Sequence, residues 1–347
     1  MKLMCCHSSP ACSDCPRRSK EAPATVATVT VGQRVAPRPE DMAAFVGQEP
    51  IVGRLRVLTA AALKRGELPG HILLSGPPGY GKTSLARIVA QEIGSGLIPC
   101  SGSTLRKVDD LVGVLRKIEP GDVLFVDEIH RLPRAVEEAL YEPLEDGTVT
   151  IMLGAGKTAS PTRARVHPFV LVGATTRPGK LSEPLRDRFA YHGVMQPYSV
   201  EELTRIVAGA WERSGLSHTP VAAKAVAERS KGVPRIALRL ADIARDVASL
   251  DGRPLRSEEA MKALQSFGVS EGGLDEVDRR ILVALVRDFD GGPVGLDNLA
   301  GALGFEQDVI AEEAEPWLIR AGLVVRESRG RCITPRGAEL VMGWEAS

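Results

Sequence analysis

Gly76-Pro-Pro-Gly-Tyr-Gly-Lys-Thr83 decides the fold of this chain, because of what stands on either side of it. The apolar run His71-Ile-Leu-Leu-Ser75 reads as a buried strand, and Ser84-Leu-Ala-Arg-Ile-Val-Ala90 reads as the helix that follows. A glycine loop between strand and helix turns several N–H groups and a helix N-terminus toward one anion. Gly76, Gly79 and Gly81 let the backbone curl. Lys82 then reaches the β- and γ-phosphates of a nucleotide, the Thr83 hydroxyl is a ligand for Mg²⁺, and Ser84 is a further nucleotide contact on the same loop.

Working outward, Asp122-Val-Leu-Phe-Val-Asp-Glu128 carries four apolar residues in a row, as a strand covered on both faces of a parallel sheet does. Asp127 and Glu128 fall at its carboxyl end, where ligands bind in open α/β sheets. Asp127 is the candidate for orienting hydrated Mg²⁺, and Glu128 the candidate for polarising an attacking water. A third strand, Phe169-Val-Leu-Val-Gly-Ala-Thr-Thr-Arg177, ends in hydroxyls, and Thr176 is placed to meet the γ-phosphate or the water. Arg188 lies in Leu185-Arg-Asp-Arg-Phe189, just before a Phe expected to anchor it to the core. Arg235 lies in the first turn of a helix opened by Gly232-Val-Pro-Arg-Ile236. A guanidinium that closes on a γ-phosphate suits phosphoryl transfer, whose transition state spreads charge over three oxygens.

With these motifs together, the chain resembles the RuvB family of AAA+ ATPases, from about Arg38 to about Leu340. Phe45-Val-Gly-Gln48 and Phe289-Asp-Gly-Gly-Pro-Val-Gly-Leu296 add to the resemblance, the second being more diagnostic than any ATPase motif. The fold it implies is α/β: a doubly wound P-loop domain, a helical lid and a C-terminal winged helix. The activity it implies is an ATP-driven DNA motor, using ATP and Mg²⁺, that drives branch migration of Holliday junctions in recombination and repair. It further implies a homohexameric ring on branched double-stranded DNA, with ATP between subunits. Under the resemblance Thr176 and Arg235 are nucleotide sensors, and Arg188 is an arginine finger donated to a neighbouring subunit. Tyr198 lies near the nucleotide, Pro37 and Arg38 touch the adenine, and Glu145, Asp146 and Gly147 border the nucleotide pocket, Gly147 replacing an aromatic. Two other readings stand beside it: a diverged loader or remodeller, and an ATP-gated DNA-binding switch in which turnover is incidental.

A chain of 347 residues is expected to divide into two or three domains. The expected boundaries are a tail over 1–36, the ATPase domain over 37–197, the lid over 198–270 and the winged helix over 271–347. The 44 basic residues balance the 44 acidic ones, so no whole-molecule field draws nucleic acid, and any DNA contact must come from a local patch. No apolar run has the length of a membrane span, and the N-terminus lacks a secretory apolar segment, so a soluble cytoplasmic protein without membrane contact is expected. Cys5, Cys6, Cys12 and Cys15, with His7 among them, crowd one short stretch. A tail without regular structure is the reading there, with zinc binding and redox chemistry as alternatives.

In the lid, Ser199 followed by Glu202 makes a capping box, and Leu203, Ile206, Val207 and Ala210 recur at helical spacing. In the last module, helices are expected over 274–288, 296–303 and 308–321, followed by strands over 323–326 and 331–334. Arg326, Arg329 and Arg331 cluster on that wing, a pattern that suits phosphate contact rather than base reading, and the family positions matching Arg326 and Arg331 bind DNA.

One segment departs from the family. A hairpin over 150–167 is expected to present apolar side chains to a junction-binding adaptor of the RuvA type. Thr162 and Ala164 stand where large aliphatics belong, and Lys157, Arg163, Arg165 and His167 make the segment basic. Losing two branched aliphatics removes about 2–4 kcal/mol of gross apolar contact, which argues against tight RuvA docking.

Overall fold

The computed structural model describes residues 39–153, 160–251, 254–270 and 272–345. Pro37, Arg38, the cysteine-containing tail and the hairpin turn with Lys157 lie outside the described residues. The described chain belongs to one unit, Val35–Ser347.

Five parallel strands form the central sheet: β1 (Ile72–Ser75), β2 (Leu97–Ser101), β3 (Val123–Asp127), β6 (Val170–Thr175) and β7 (Tyr191–Val194), in the order β2-β3-β6-β1-β7. The intervening β4 (Thr148–Leu153) and β5 (Ser160–Arg165) form a separate antiparallel hairpin. Alternate residues of the central strands feed two different cores. Ile72, Leu74, Phe125 and Val172 join one cluster, and Leu73, Leu124, Val126 and Leu171 join the other. Strands covered on both faces have no polar side to alternate with, which is why they read as unbroken apolar runs. Ser75 is level with Thr175, and Ser101 with Asp127, so the polar strand ends gather at one edge of the sheet.

The hairpin differs from expectation in how far the core covers its small residues. Ile151, Ala164 and Val166 are partly buried against the core, whereas Thr162, Arg163 and Arg165 are exposed. Thr162 and Ala164 share one face of β5, opposite Ile151 and Val149; the core covers Ala164 but not Thr162, one pair nearer the turn.

The lid comprises helices Val200–Arg213, Pro220–Glu228, Pro234–Asp251 and Ser257–Ser266. Ser199 and Glu202 form the expected capping box. The Trp211 ring is fully buried, and its Nε1–H donates to the Ala241 carbonyl at 3.0 Å. The lid core is continuous with one face of the sheet.

The last module has its own core, built from helices Glu276–Arg287 and Leu296–Leu303 together with β8 (Val324–Glu327) and β9 (Gly330–Ile333). Two features depart from the sequence reading. The helix expected over 308–321 is a π-helical turn, Val309–Ala314, followed by the α-helix Glu315–Arg320. Pro316 has no N–H to give the Glu312 carbonyl, so the regular ladder cannot run through it. A further helix, Pro335–Glu345, follows the wing and contributes Val341 to the core.

Candidate functional site

The glycine loop closes directly from β1 into helix Lys82–Glu92. Gly76, Gly79 and Gly81 all have positive φ, at 144°, 80° and 100°. At Gly79 the need for glycine is also steric. A methyl group there would lie 2.8 Å from the Arg235 Cβ and 2.9 Å from Val233. The loop thus packs against the first turn of the lid helix, where the Arg235 N–H donates to the Gly79 carbonyl at 3.3 Å. Tyr198 reaches the same loop, its hydroxyl donating to the Tyr80 carbonyl at 3.1 Å. Thr83 and Ser84 are half-buried in the first turn of the helix.

Lys82 is buried, and its ammonium donates to the Gly76 and Pro77 carbonyls at 2.6 and 2.9 Å. Burial lowers its proton affinity. Glu128 and Asp127 act against that shift, Arg235 adds to it, and Glu312 of the winged-helix module opposes it. Lys82, Asp127, Glu128 and Arg235 therefore share one electrostatic neighbourhood, although they come from the loop, β3 and the lid.

Asp127 ends β3, and its Oδ1 accepts the Glu128 N–H at 3.0 Å. Glu128 itself has left the strand, with φ 49°. Its Oε2 accepts from the Thr176 hydroxyl at 3.2 Å and lies 3.1 Å from His130 Nδ1. His130 Nδ1 is also 2.9 Å from Thr175 Oγ1, which accepts the Arg177 N–H at 3.0 Å. Sequence reasoning assigned no role to His130 or Arg177. Arg177 ends the quoted third strand and His130 lies two residues past Glu128, but a lone His or Arg after a strand is ordinarily a solvated group.

Arg188 is turned toward its own chain. Its guanidinium sits 2.9 Å from Glu145 Oε1, donates to the Pro184 carbonyl at 2.6 Å and lies over the Tyr141 ring at 4.1 Å. Phe189 behind it is buried, as expected. Glu145 and Asp146 are exposed, and Gly147 turns the chain into β4 with φ 62°. Among the described residues, no hydrogen bond or ion pair joins Arg188, Glu145 or Asp146 to the P-loop of the same chain.

The winged-helix module touches this site directly. Arg177 Nη2 pairs with Asp308 at 2.7 Å and with Glu312. Arg320 Nη1 donates to the Tyr80 hydroxyl, and Nη2 to the Lys231 carbonyl, each at 2.8 Å. On the wing itself, Arg326 and Arg329 are exposed, as is Arg336 just after it. Arg331 departs from the expectation that it is displayed there. It is 7% exposed, and its Nη2 pairs with the equally buried Glu315 at 2.8 Å. Arg331 is level with Arg326 across the ladder, but its strand is sandwiched between β8 and Val294, whose backbone pairs with Arg331 on both N–H and C=O. The two side chains share a face of the ladder, but Arg331 is on the strand flanked on both sides and is covered, while Arg326 is on the outer strand.

Among the described residues, no cluster of three or more His, Cys, Asp and Glu side chains could hold a metal. The donors at this site are hard oxygens, the Thr83 hydroxyl and the Asp127 carboxylate. They suit a divalent cation completed by water and phosphate oxygens. The glycine backbone and the buried ammonium suit the phosphates. No described helix is long and apolar enough to cross a membrane.

Comparison with known proteins matches the whole described architecture. Residues 37–195 match the Holliday junction DNA helicase RuvB P-loop domain, residues 198–270 the RuvB AAA lid domain, and residues 271–342 the RuvB C-terminal winged helix domain. The Holliday junction branch migration complex subunit RuvB of Pelodictyon phaeoclathratiforme is 47% identical, over 86% of this chain and 87% of its own. The protein of the same description from Lacticaseibacillus casei is 43% identical, over 86% of this chain and 89% of its own. Among solved structures, the Thermotoga maritima RuvB Holliday junction branch migration motor superposes with a TM-score of 0.81 at 40% identity, covering 89% of this chain and 99% of its own. With these likenesses running through the P-loop, the lid and the winged helix alike, the chain belongs to the RuvB family.

Proposed function

We propose that the chain is the motor subunit of a branch-migration complex, hydrolysing ATP to move Holliday-junction DNA as a homohexameric ring in the cytoplasm. The observation that carries this reading is the pairing of Arg177, at the end of β6, with Asp308 and Glu312 of the winged helix. Through it the hydrolytic edge of the sheet and a module with exposed arginines meet in one chain. A loader that remodels a protein complex has no need of that connection, and a switch in which turnover is incidental has no need of Glu128.

In this reading the P-loop N–H groups and Lys82 hold the β- and γ-phosphates. Thr83 and Asp127 hold Mg²⁺, which supplies charge neutralisation on the phosphate oxygens when bound. Glu128 orients and polarises the water, and Thr176 fixes that carboxylate. Arg235 approaches the phosphates from the lid, so nucleotide binding biases the angle between lid and sheet. Arg188 completes the site of the next subunit, which explains why it has no P-loop contact in its own chain. Neutralising the charge that develops on the γ-phosphoryl oxygens is where such a finger accelerates transfer. Arg326 and Arg329 contact the DNA backbone, giving grip without sequence preference. The exposed Arg163 and Arg165 of the β4–β5 hairpin argue against tight recruitment by a RuvA-type adaptor.

A DNA-stimulated ATPase assay run beside a four-way-junction migration assay tests this directly. Stimulation by junction DNA together with strand exchange is the expected result. Stimulation without migration would favour a loader or a switch.

A further inference from the structure

We propose that His130 positions Glu128 for hydrolysis, holding one carboxylate oxygen so that the other faces the water. The inference rests on the reading of Glu128 as the residue that polarises the water. The side chain of His130 is 4% exposed, and its Nδ1 lies 3.1 Å from Glu128 Oε2. Thr176 donates to the same oxygen. Among the described residues no hydrogen bond reaches Glu128 Oε1.

The proton on the ring can be placed by argument. Burial is the largest influence on His130 and lowers its proton affinity, against the attraction of Glu128. A neutral imidazole carries a single N–H. With that proton on Nε2, a nitrogen lone pair would face a carboxylate oxygen at 3.1 Å, which is repulsive. The N–H therefore sits on Nδ1 and is directed between Glu128 Oε2 and Thr175 Oγ1. Thr175 is fully buried and accepts the Arg177 N–H, and its Oγ1 gives the same ring nitrogen a second fixed partner.

Glu128 needs such a hold. It sits in left-handed backbone beyond the strand, outside the ladder that aligns Asp127. A carboxylate on a two-carbon stem there samples several rotamers, and only some aim an oxygen at the water. Thr176 fixes it from the neighbouring strand, and a rigid ring on the same loop fixes it from a second direction. Orienting a reacting group in this way is worth about 10²-fold in rate.

The experiment compares two substitutions of similar shape in the full-length chain. In His130→Asn the amide nitrogen stands the same number of bonds from Cα as Nδ1 and can donate to Glu128, whereas His130→Leu fills the space without a donor. Steady-state ATPase is measured beside binding of a fluorescent non-hydrolysable ATP analogue and the thermal midpoint. The expected result is a kcat about 30–100-fold lower in His130→Leu, with KM and analogue affinity within about threefold, and recovery to within about fivefold of wild type in His130→Asn. Thr175→Val, which removes the other anchor of the ring, is expected to lower kcat by a smaller factor. Equal losses in the Asn and Leu variants, or losses that follow analogue affinity and thermal midpoint, would overturn the proposal, as would an unchanged kcat in His130→Leu. Glu128→Gln separates the two layers. If it abolishes turnover while His130→Leu does not, only the positioning role falls; if it turns over normally, the reading of Glu128 falls with it.

Discussion

The Arg320 guanidinium donates to the Tyr80 hydroxyl at 2.8 Å, tying the last helix before the wing to the nucleotide loop. Tyr80 is 1% exposed, and its backbone carbonyl already accepts from Tyr198. The same guanidinium reaches the Lys231 carbonyl, just ahead of the lid helix that carries Arg235. One side chain of the DNA module therefore contacts both halves of the nucleotide cleft.

Truncating that side chain should loosen the module. A hydrogen bond from a charged donor contributes about 1.5–3 kcal/mol, and Arg320→Ala removes two. The expected outcome is faster proteolytic cleavage in the segment over 268–273 and a several-fold smaller stimulation of ATPase by DNA. Unchanged stimulation would show that coupling does not pass through this contact.

Arg188 is expected to act on a neighbour. Arg188→Ala should bind ATP normally and lose turnover by about 10³-fold. Mixed with Glu128→Gln subunits, it should regain part of the activity at mixed interfaces, since each variant supplies what the other lacks. An active Arg188→Ala ring would remove the finger assignment. Glu145→Gln, which releases the intrachain partner, should not reproduce the loss.

Arg326 and Arg331, paired across the wing, should behave differently. Arg326→Ala is expected to weaken binding to all duplex sequences alike and to lower the salt slope by about one phosphate contact. Arg331→Ala should instead destabilise the module by about 3–5 kcal/mol, because it strands the buried Glu315 carboxylate. Replacing both members together, Arg331→Met with Glu315→Leu, should restore most of that stability. Urea unfolding of the four proteins beside a salt titration of DNA binding separates the cases.

Lys231 faces two carboxylates at the junction of lid and winged helix, Asp275 at 2.7 Å and the fully buried Asp278. Burial pushes the Asp278 carboxyl up to about 6, with Lys231 opposing. Burial also acts on Asp275, but Lys231 outweighs it and holds that carboxyl below the usual carboxylate range. A raised folded-state value means that the folded chain holds the Asp278 proton more tightly than the unfolded chain. Its contribution is thus present below about 4 and is lost as pH rises toward about 6. The Asp275 contribution runs the opposite way, at lower pH. Thermal midpoints of wild type minus Asp278→Asn are expected to fall as pH rises from 4 to 6.5, and a flat difference would discard the assignment.

The hairpin prediction follows from how far along the hairpin the core reaches. Only Thr162 of the two small residues is exposed, so Thr162→Ile alone should strengthen binding to a RuvA-type domain. Ala164→Ile should not, and should cost stability by crowding the core. Tight binding by the unaltered chain, insensitive to Thr162→Asp, would show that the docking face lies elsewhere.

Spacing along the chain was enough for the α/β class, the nucleotide loop and the acidic strand end. Each depends on residues a few positions apart, whose geometry backbone rules dictate: three glycines in a turn, an apolar run covered on both faces, a Ser-x-x-Glu cap. The winged helix was legible for the same reason, down to the bounds of helix Leu296–Leu303. Pro316 was visible too, and its consequence, the π turn, follows from a missing N–H.

What the sequence could not carry is the direction a side chain takes once strands and modules pack. Arg326 and Arg331 are alike on paper, yet one faces water and the other is buried on Glu315, because pairing with Val294 makes β9 an inner strand. Ala164 is covered by the core, whereas Thr162, on the same face of the hairpin but one pair nearer the turn, is not. His130 became a partner of Glu128 only when β6 set Thr175 against its ring, 45 residues away. Arg177 and Arg320 found their partners 131 and 240 residues distant in sequence. Contacts of that kind have no local periodicity to betray them. They exist because burying apolar faces leaves few arrangements of the modules, and within those the charged groups must find one another or remain unpaired.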